Sequence, residues 1–300
     1  MSGEPDHLPR RLWWVLAGLT LAWGFNWTAL KVALSEVPPW TFRSLCLGLG
    51  SAVLFAALRA GGQRLALPRG QWGRLWLLAL LNITSWNMLV AFGVGMIPSG
   101  RAAIVAYTMP VWAVPLSVWL LGERITGARL AGLVLGLCGL ALLLGESIAS
   151  LGEAPLGSLL VLGAAISWAL GTVLQKRFPV GLPVGLYTAW IMLLGGVPIF
   201  AGALVFEDWR ALASVSLLPA LGTVYNVLIA FAFAHWAWIK IATSVPVGVF
   251  SISMQLIPVV GVLSGMLFLG ERPSWAEYAA LALVLAALLT VLRPQRAAPG

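Results

Sequence analysis

Two stretches of this chain repeat one another at a constant spacing within apolar sequence. Each contains a proline followed thirteen residues later by the glutamate of a Leu-Gly-Glu-Arg sequence. Pro110 corresponds to Pro258 and Glu123 to Glu271, and both pairs are 148 residues apart. Further matches follow in the same order: Trp23 with Trp168, Lys31 with Lys176, and 86–92 with 225–231. The ordered matches indicate that one structural unit occurs twice.

The composition places both copies in a membrane. Of the 300 residues, 60% are hydrophobic and only 9% are charged, with a mean hydropathy of +0.95. A soluble domain carries about 25% charged residues, so this chain has too few charges to cover a surface that faces water. The sequence therefore predicts an all-α polytopic membrane protein.

Ten membrane spans are predicted, since a helix needs about 20 apolar residues to cross a bilayer. They cover residues 12–34, 41–59, 75–94, 98–121, 128–145, 156–175, 184–205, 214–238, 243–269 and 274–292. With the N-terminus in the cytoplasm, 13 of the 18 Lys and Arg residues fall on the cytoplasmic side. This bias predicts that both termini, 1–11 and 293–300, are cytoplasmic. The net charge of +8 is thereby explained by membrane orientation, and no nucleic-acid partner is expected.

The two copies are predicted to cross the membrane in opposite directions. The first five spans lie in 12–147 and the second five in 156–292. Five is an odd number, so the second copy starts from the opposite side. Inverted repeats around a central cavity are typical of secondary transporters, whose binding sites lie near the midplane between the repeats.

The paired order of these motifs resembles the drug/metabolite transporter superfamily. The ten-helix EamA-type branch fits best, and within it the YddG-type exporters of aromatic and other amino acids. The resemblance covers about residues 12–292. It implies export of small metabolites by alternating access, through a cavity lined by helices 1, 3, 4, 6, 8 and 9, in a bacterial inner membrane.

Two helical stripes are predicted to face this cavity. On span 9 the stripe is Ser244, Gly248, Ser251 and Gln255, and on span 4 it is Met96, Gly100, Ala103 and Tyr107. Steps of three and four residues keep each set on one helical face, and a large polar side chain ends each set. Close packing of small residues between helices is the alternative.

Asn87 and Asn226 occupy equivalent positions in the two halves, each after an aromatic residue, Trp86 or Tyr225. An amide offers both donors and an acceptor for an ammonium or a carboxylate. A hydrogen bond between helices is an equally good explanation. On span 1, Trp23 and Asn26 share a face, and Trp168 is the counterpart of Trp23. Their rings could stack on an aromatic ligand or serve as packing.

Pro110 and Pro258 are predicted near the middle of their helices, where proline removes a hydrogen bond and bends the chain. Such a bend could act as a hinge or remain static. All ten Asp and Glu residues fall in loops or at span ends, and His235 is the only ionisable side chain predicted well within a span.

The sequence favours a carrier of neutral or zwitterionic solutes, amino acids above all, that works without a cofactor or metal. A drug or nucleotide-sugar carrier is an alternative, although a nucleotide sugar requires cations deep in the cavity. An intramembrane enzyme would need a nucleophile with its base, or paired acids, at depth. The chain contains neither G-x-S-x-G nor a P-loop, so no enzyme is expected. A monomer is expected, and Gly132-x-x-x-Gly136 and Gly261-x-x-x-Gly265 leave a homodimer open.

Overall fold

The structure, a computed structural model, describes residues 10–67, 70–149, 154–242 and 247–291. These residues form helices joined by short turns, and none of the described residues is in a β-strand. The α-helices are α1 Arg10–Ala33, α2 Pro39–Ala60, α3 Trp72–Ala79, α4 Trp86–Met96, α5 Ser99–Ala106, α6 Met109–Leu121, α7 Gly127–Ala149, α8 Ala154–Arg177, α9 Val184–Phe206, α10 Leu217–Tyr225, α11 Ala234–Ala242, α12 Val247–Leu269 and α13 Trp275–Val291.

Seven helical segments of the described chain are long and apolar enough to cross a membrane. They are Pro39–Ala60, Trp72–Met96, Ser99–Leu121, Gly127–Glu146, Pro155–Arg177, Val184–Phe206 and Leu217–Trp238. Two shorter apolar helices follow, Leu256–Leu269 and Trp275–Thr290. The prediction of an all-helical membrane protein is confirmed, and the count of ten spans stays a prediction.

Two of the long segments contain π-helical turns. The π-helix Leu80–Ser85 joins α3 to α4, and the π-helix Asn226–Phe233 joins α10 to α11. A π-helix bonds each amide to the fifth carbonyl before it, so it rotates the following side chains relative to a regular α-helix. Which residues of these two segments face the interior is therefore set partly by the π turns.

The segment predicted as one helix over 98–121 is broken. Helix α5 ends at Ala106, Tyr107 and Thr108 form a turn, and α6 begins at Met109. Pro110 lies in the first turn of α6, where its missing N–H costs no helical hydrogen bond. Pro110 therefore lies at the start of α6 and does not lie within one regular helix, and the bend of this segment lies just before it. Its role as a hinge stays a prediction. Pro258 lies inside α12, as predicted.

Glycines bring the helices of the bundle close together. A Cβ atom added at Gly93 of α4 would lie 2.6 Å from Val161 Cγ2 and 2.9 Å from the carbonyl oxygen of Gly157, both on α8. A Cβ added at Gly157 would lie 2.8 Å from Met96 Cβ. Carbon atoms do not normally approach closer than about 3.5 Å, so α4 and α8 cross at a separation that only glycine permits.

The small residues of the span-4 stripe also serve packing. A Cβ atom on Gly100 would lie 3.2 Å from the Cα of Val262, and the Cβ of Ala103 lies against Gly261. These contacts hold α5 directly against α12. The structure therefore assigns Gly100 and Ala103 to helix packing and leaves only the polar end of the stripe, Tyr107, for a cavity.

Candidate functional site

A cavity of about 590 Å³ lies inside the helical bundle. Its wall is built by residues of α1, α6, α8, α9, α11 and α13. The π-helix Leu80–Ser85, the turn between α5 and α6 and the turn between α8 and α9 complete it. Sites for small molecules commonly measure about 300–1,000 Å³. The volume therefore suits a metabolite of the size of an amino acid.

The cavity wall is aromatic and aliphatic, with uncharged polar groups distributed over it. The polar and aromatic lining residues are Trp23, Asn82, Tyr107, Trp168, Thr172, Gln175, Tyr187, Thr188, His235 and Trp238. The described lining includes no Asp, Glu, Lys or Arg residue. Such a wall favours a solute with an apolar part and without net charge.

Three predicted site residues line the cavity, namely Trp23, Tyr107 and Trp168, together with the predicted hinge residue Pro110. The indole N–H of Trp23 donates to the carbonyl oxygen of Ala230 at 3.1 Å. That bond fixes the ring in an edge-on contact with His235, whose centroid is 5.7 Å away. Trp23 and Trp168, which correspond in the two sequence repeats, therefore both contribute aromatic faces to one cavity.

Asn87 and Asn226 each make a hydrogen bond within their own helical segment, and their contact with a substrate stays a prediction. The amide nitrogen of Asn87 donates to the carbonyl oxygen of Ile83 at 2.9 Å, within its own segment. Asn226 donates to Gly222 at the same distance. Each bond reaches back four residues, so the equivalent residues of the two repeats make equivalent bonds. Both asparagines are buried, and neither lines the cavity.

The aromatic neighbours of these asparagines also lie outside the cavity wall. The ring of Trp86 packs on that of Trp168, with centroids 5.0 Å apart, so it supports the wall from behind. The hydroxyl of Tyr225 donates to the carbonyl oxygen of Ala22 at 2.9 Å, which ties α10 to α1. The Oδ1 atom of Asn26 is buried without a hydrogen-bond partner.

The predicted stripe on span 9 cannot be placed. Ser251 and Gln255 belong to α12, but their side chains lie outside the described residues. Their predicted contact with a substrate therefore stays a prediction, as does the pairing of Gln255 with Tyr107.

Sequence reasoning missed several polar residues of the wall. Asn82 lies in the π-helix Leu80–Ser85 and is buried, with its amide nitrogen bonded to the carbonyl oxygen of Trp168 at 3.0 Å. Its Oδ1 and the hydroxyl of Tyr187 are both buried without a partner. The polar side chain of Asn82 in the middle of an apolar span could have indicated that this residue faces the cavity. Tyr187 lies in the first turn of α9, a position typical of interfacial anchors.

The cavity extends to one end of the bundle. Its lining includes Pro179 and Gly181 of the turn between α8 and α9, and both residues are exposed. Beside this turn, Arg177 donates to the carbonyl oxygen of Leu120 at 2.5 Å, and Lys176 pairs with Glu123. We call this end, marked by Glu123 and the turn Phe178–Pro183, the open end.

Glu123 at the open end contributes a small stability that depends on pH. The hydrogen bond from Lys176 holds the pKa of the Glu123 carboxyl below its usual value, and Arg129, 2.9 Å away, acts in the same direction. A lowered pKa in the folded protein stabilises it above the usual pKa, and this contribution disappears as the pH falls. Because Lys176 is exposed, the contribution amounts to about 1 kcal/mol at most.

Replacing Glu123 by Gln is therefore expected to lower the thermal midpoint by a few degrees at pH 7. The difference from the natural protein should shrink as the pH approaches 4. Thermal unfolding of both proteins in detergent between pH 4 and pH 8 measures this difference in midpoint. The variant Lys176→Met removes the other partner of the same ion pair and should show the same pH dependence. A difference that grows toward acid pH would contradict this assignment.

The opposite end of the bundle is sealed by carboxylates that bind helix N-termini. Helix α5 begins after Pro98, which has no capping side chain. The carboxylate of Glu271 instead accepts the amides of Ser99 at 2.7 Å and Gly100 at 3.1 Å. A Cβ atom at Gly265 would collide with this carboxylate, so that glycine makes room for it.

Two further carboxylates act in the same way. Glu207 accepts the amides of Trp40 at 3.0 Å and Thr41 at 2.6 Å, at the start of α2. Glu36 accepts the amide of Ser216, before α10, at 2.6 Å. This bond lowers the pKa of Glu36. We call this end, marked by Glu36, Glu207 and Glu271, the sealed end.

The two ends carry ion pairs that are related by the sequence repeat. At the sealed end, Lys31 lies 3.6 Å from Glu271 and donates to the carbonyl oxygen of Ile97. At the open end, Lys176 pairs with Glu123. Lys31 corresponds to Lys176 and Glu271 to Glu123, so each pair joins a lysine of one repeat to a glutamate of the other.

Comparison with known proteins yields a family match. A family model described as the EamA-like transporter family matches residues 12–145 and 155–293. A "probable amino-acid metabolite efflux pump" of Escherichia coli is 26% identical and aligns over 90% of this chain and 91% of its own length. The "uncharacterized transporter YoaV" of Bacillus subtilis is 27% identical over 86% and 88%. The "uncharacterized inner membrane transporter YedA" of E. coli is 29% identical over 93% and 90%.

A solved structure shares the fold. It is described only as a crystal structure of a protein and superimposes with a TM-score of 0.65 over 94% of this chain and 96% of its own. The two sequences are 24% identical, so this likeness concerns the fold alone.

Proposed function

This chain belongs to the EamA-like transporter family of the drug/metabolite transporter superfamily, and we propose that it exports small neutral or zwitterionic metabolites, amino acids above all. The observation that carries the proposal is the cavity of about 590 Å³ with aromatic and uncharged polar walls. Aromatic faces suit apolar side chains, and amide and hydroxyl groups suit the polar end of an amino acid. The efflux-pump relative supports the same substrate class.

Transport is proposed to occur by alternating access between two inverted five-helix units, 12–147 and 156–292. The cavity reaches the open end while carboxylates bind helix N-termini at the sealed end. The repeat-related pairs Lys31–Glu271 and Lys176–Glu123 place equivalent ion pairs at the two ends. In the opposite state we expect the ion pair and hydrogen bonds of Glu271 to be broken.

The open end is proposed to face the cytoplasm of a bacterial cell. Lys176 and Arg177 lie at this end, and basic residues concentrate on cytoplasmic loops. Both termini would then be cytoplasmic, in a ten-span arrangement. A relative is named an inner membrane transporter, which supports the inner membrane as the location.

A monomer is the proposed assembly. Helices α7 and α13 pack on each other: a Cβ atom on Gly139 would lie 3.2 Å from the carbonyl oxygen of Ala280. Gly136 lies directly against Val111 of α6. The small residues of α7 thus pack against helices of the same chain.

The uncharged cavity wall does not favour a nucleotide sugar as the substrate. The relatives reported above are named as transporters and a pump rather than enzymes.

Uptake into proteoliposomes tests the function. The purified protein is reconstituted and supplied with a panel of labelled amino acids, with and without a pH gradient. Uptake of neutral amino acids above that of protein-free vesicles is expected. Failure of every neutral amino acid, with a folded protein, would refute the proposed substrate class.

Replacing Trp168 by Ala is expected to reduce transport of aromatic amino acids relative to small ones by about two- to twelvefold, because an aromatic pair contributes about 0.5–1.5 kcal/mol. Uptake of phenylalanine and alanine is compared in vesicles. Trp119→Ala is the control, since Trp119 is 77% exposed and does not line the cavity. An equal loss for both substrates would show that Trp168 supports folding rather than selectivity.

A further inference from the structure

Arg43 is a buried cation for which the described chain provides no anion. It lies in the second turn of α2, a helix apolar enough to cross a membrane. Its residue is only 3% exposed, and its Nε atom is buried without a hydrogen-bond partner. Its guanidinium lies 5.2 Å from the centroid of the Phe42 ring and close to the uncharged thiol of Cys46. No carboxylate of the described residues lies within ion-pair distance of it.

Arg101 shows how this protein pairs another arginine that is largely removed from solvent. The side chain of Arg101 is 10% exposed and binds Glu277 at 2.6 Å and Glu146 at 2.5 Å. Around Arg43 the arrangement differs, because the carboxylate at the start of α2, Glu207, binds the amides of Trp40 and Thr41. The positive end of the helix dipole makes a cation in this part of a helix less favourable still.

Along the axis of the bundle, Arg43 lies at a level between the cavity and the sealed end. Helix α2 starts at the sealed end, where Glu207 binds Trp40. Ten residues later, a Cβ atom on Gly50 would lie 3.1 Å from the Cβ of Phe231. Phe231 stacks on His235 of the cavity wall at 5.4 Å. At 1.5 Å per residue, Arg43 lies about 10 Å closer to the sealed end than Phe231 does.

Other buried polar atoms of this half also lack partners. They include Asn26 Oδ1 on α1, Thr41 Oγ1 on α2, Trp209 Nε1 before α10 and Asn226 Oδ1 in the second π-helix. An unpartnered buried polar group costs about 1–3 kcal/mol, and an unpaired charge costs more. Polar and ionisable groups inside membrane-spanning segments commonly mark substrate pathways.

We propose that Arg43 selects solutes with a carboxylate, binding that group when the sealed end opens. The guanidinium matches a carboxylate through two parallel hydrogen bonds. The described cavity lining supplies no other cation, so a substrate carboxylate first meets a positive side chain beyond the cavity. This inference rests on the proposed export of amino acids and adds a residue that distinguishes an amino acid from the corresponding amide.

Competition in proteoliposomes tests the selection. Uptake of labelled phenylalanine is measured in the presence of unlabelled phenylalanine or phenylalaninamide, for the natural protein, Arg43→Gln and Arg43→Lys. The natural protein should prefer phenylalanine by on the order of ten- to a hundredfold, the value of a charge-assisted hydrogen bond. In Arg43→Gln this preference should fall close to one, and Arg43→Lys should retain part of it.

Thermal unfolding in detergent separates this role from a structural one. Arg43→Met removes an unpaired charge and is expected to raise the midpoint of the ligand-free protein, whereas Arg101→Met breaks two ion pairs and should lower it. A lowered midpoint for Arg43→Met, or an unchanged preference in Arg43→Gln, would overturn the proposal. Absence of phenylalanine uptake by the natural protein would instead refute the aromatic amino-acid specificity on which it rests.

Discussion

Replacing Gly93 by Ala is expected to destabilise the protein by about 1–3 kcal/mol, while the same change at Gly95 in the same helix is not. The added Cβ at Gly93 would meet Val161 at 2.6 Å and the backbone of Gly157 at 2.9 Å. Backbone cannot rotate away as a side chain can, so α4 and α8 would have to separate. Gly95 has open space within 4 Å of its added Cβ.

A larger side chain is expected to increase the difference in stability between variants at the two positions. Gly93→Leu is expected to prevent accumulation of folded protein in the membrane, and Gly95→Leu to allow it. Expression, size-exclusion profile and thermal midpoint in detergent measure the difference. Similar midpoints for the alanine variants at both positions would show that α4 and α8 can accommodate a side chain at their crossing, which would contradict the close contact described above.

The second large effect is expected from Glu271→Ala, which removes the carboxylate from the start of α5. The change leaves the amides of Ser99 and Gly100 without their acceptor. It also removes the carboxylate that pairs with Lys31, which keeps its hydrogen bond to the carbonyl oxygen of Ile97. Hydrogen bonds to a charged group contribute about 1.5–3 kcal/mol, and the partly exposed Lys31 adds little to this. If the opposite state lacks these bonds, the equilibrium shifts toward it by about ten- to a hundredfold.

Thiol labelling reports this shift. The free cysteines Cys46 and Cys138 are first replaced by Ala, and a cysteine is placed at position 26, one turn beyond Trp23 toward the sealed end. A membrane-impermeant reagent added at the sealed end should label Asn26→Cys at least tenfold faster when Glu271 is Ala.

Asp208→Ala serves as the control for this experiment. Asp208 lies at the same end but binds only the nearby amide of Arg210, so its loss should leave labelling unchanged. Equal labelling with and without the Glu271 carboxylate would mean that other contacts close this end.

Much of the architecture followed from the sequence, because helix formation in a bilayer depends mainly on apolar length. The positions of Trp23 and Trp168 in one cavity followed from the repeat. The break at Tyr107 and Thr108 did not, since a proline at mid-span is compatible with either a kinked helix or two helices.

It was harder to predict which residues of a helix face the cavity, because this depends on local helix geometry. In the two segments with π-helical turns, the sequence left Asn87 and Asn226 between a cavity role and a helix–helix hydrogen bond, whereas Asn82, which was not considered, lines the cavity. A π turn changes the angular relation of residues before and after it, and hydropathy alone gives no sign of it. Arg43 lies near the start of the predicted span 41–59 and was counted with the five cations of the non-cytoplasmic side. Only the packing around α2 shows that it is buried.

The bonds that close the sealed end also have a consequence for how the protein is made. The partners lie far apart along the chain: Trp40 with Glu207, Ser99 with Glu271, and Ser216 with Glu36. At typical synthesis rates of about 5–20 residues per second, α2 emerges from the ribosome roughly ten to thirty seconds before Glu207. During biogenesis the N-terminal amides of α2 and α5 must therefore be hydrated or protected by another protein until the second half is inserted.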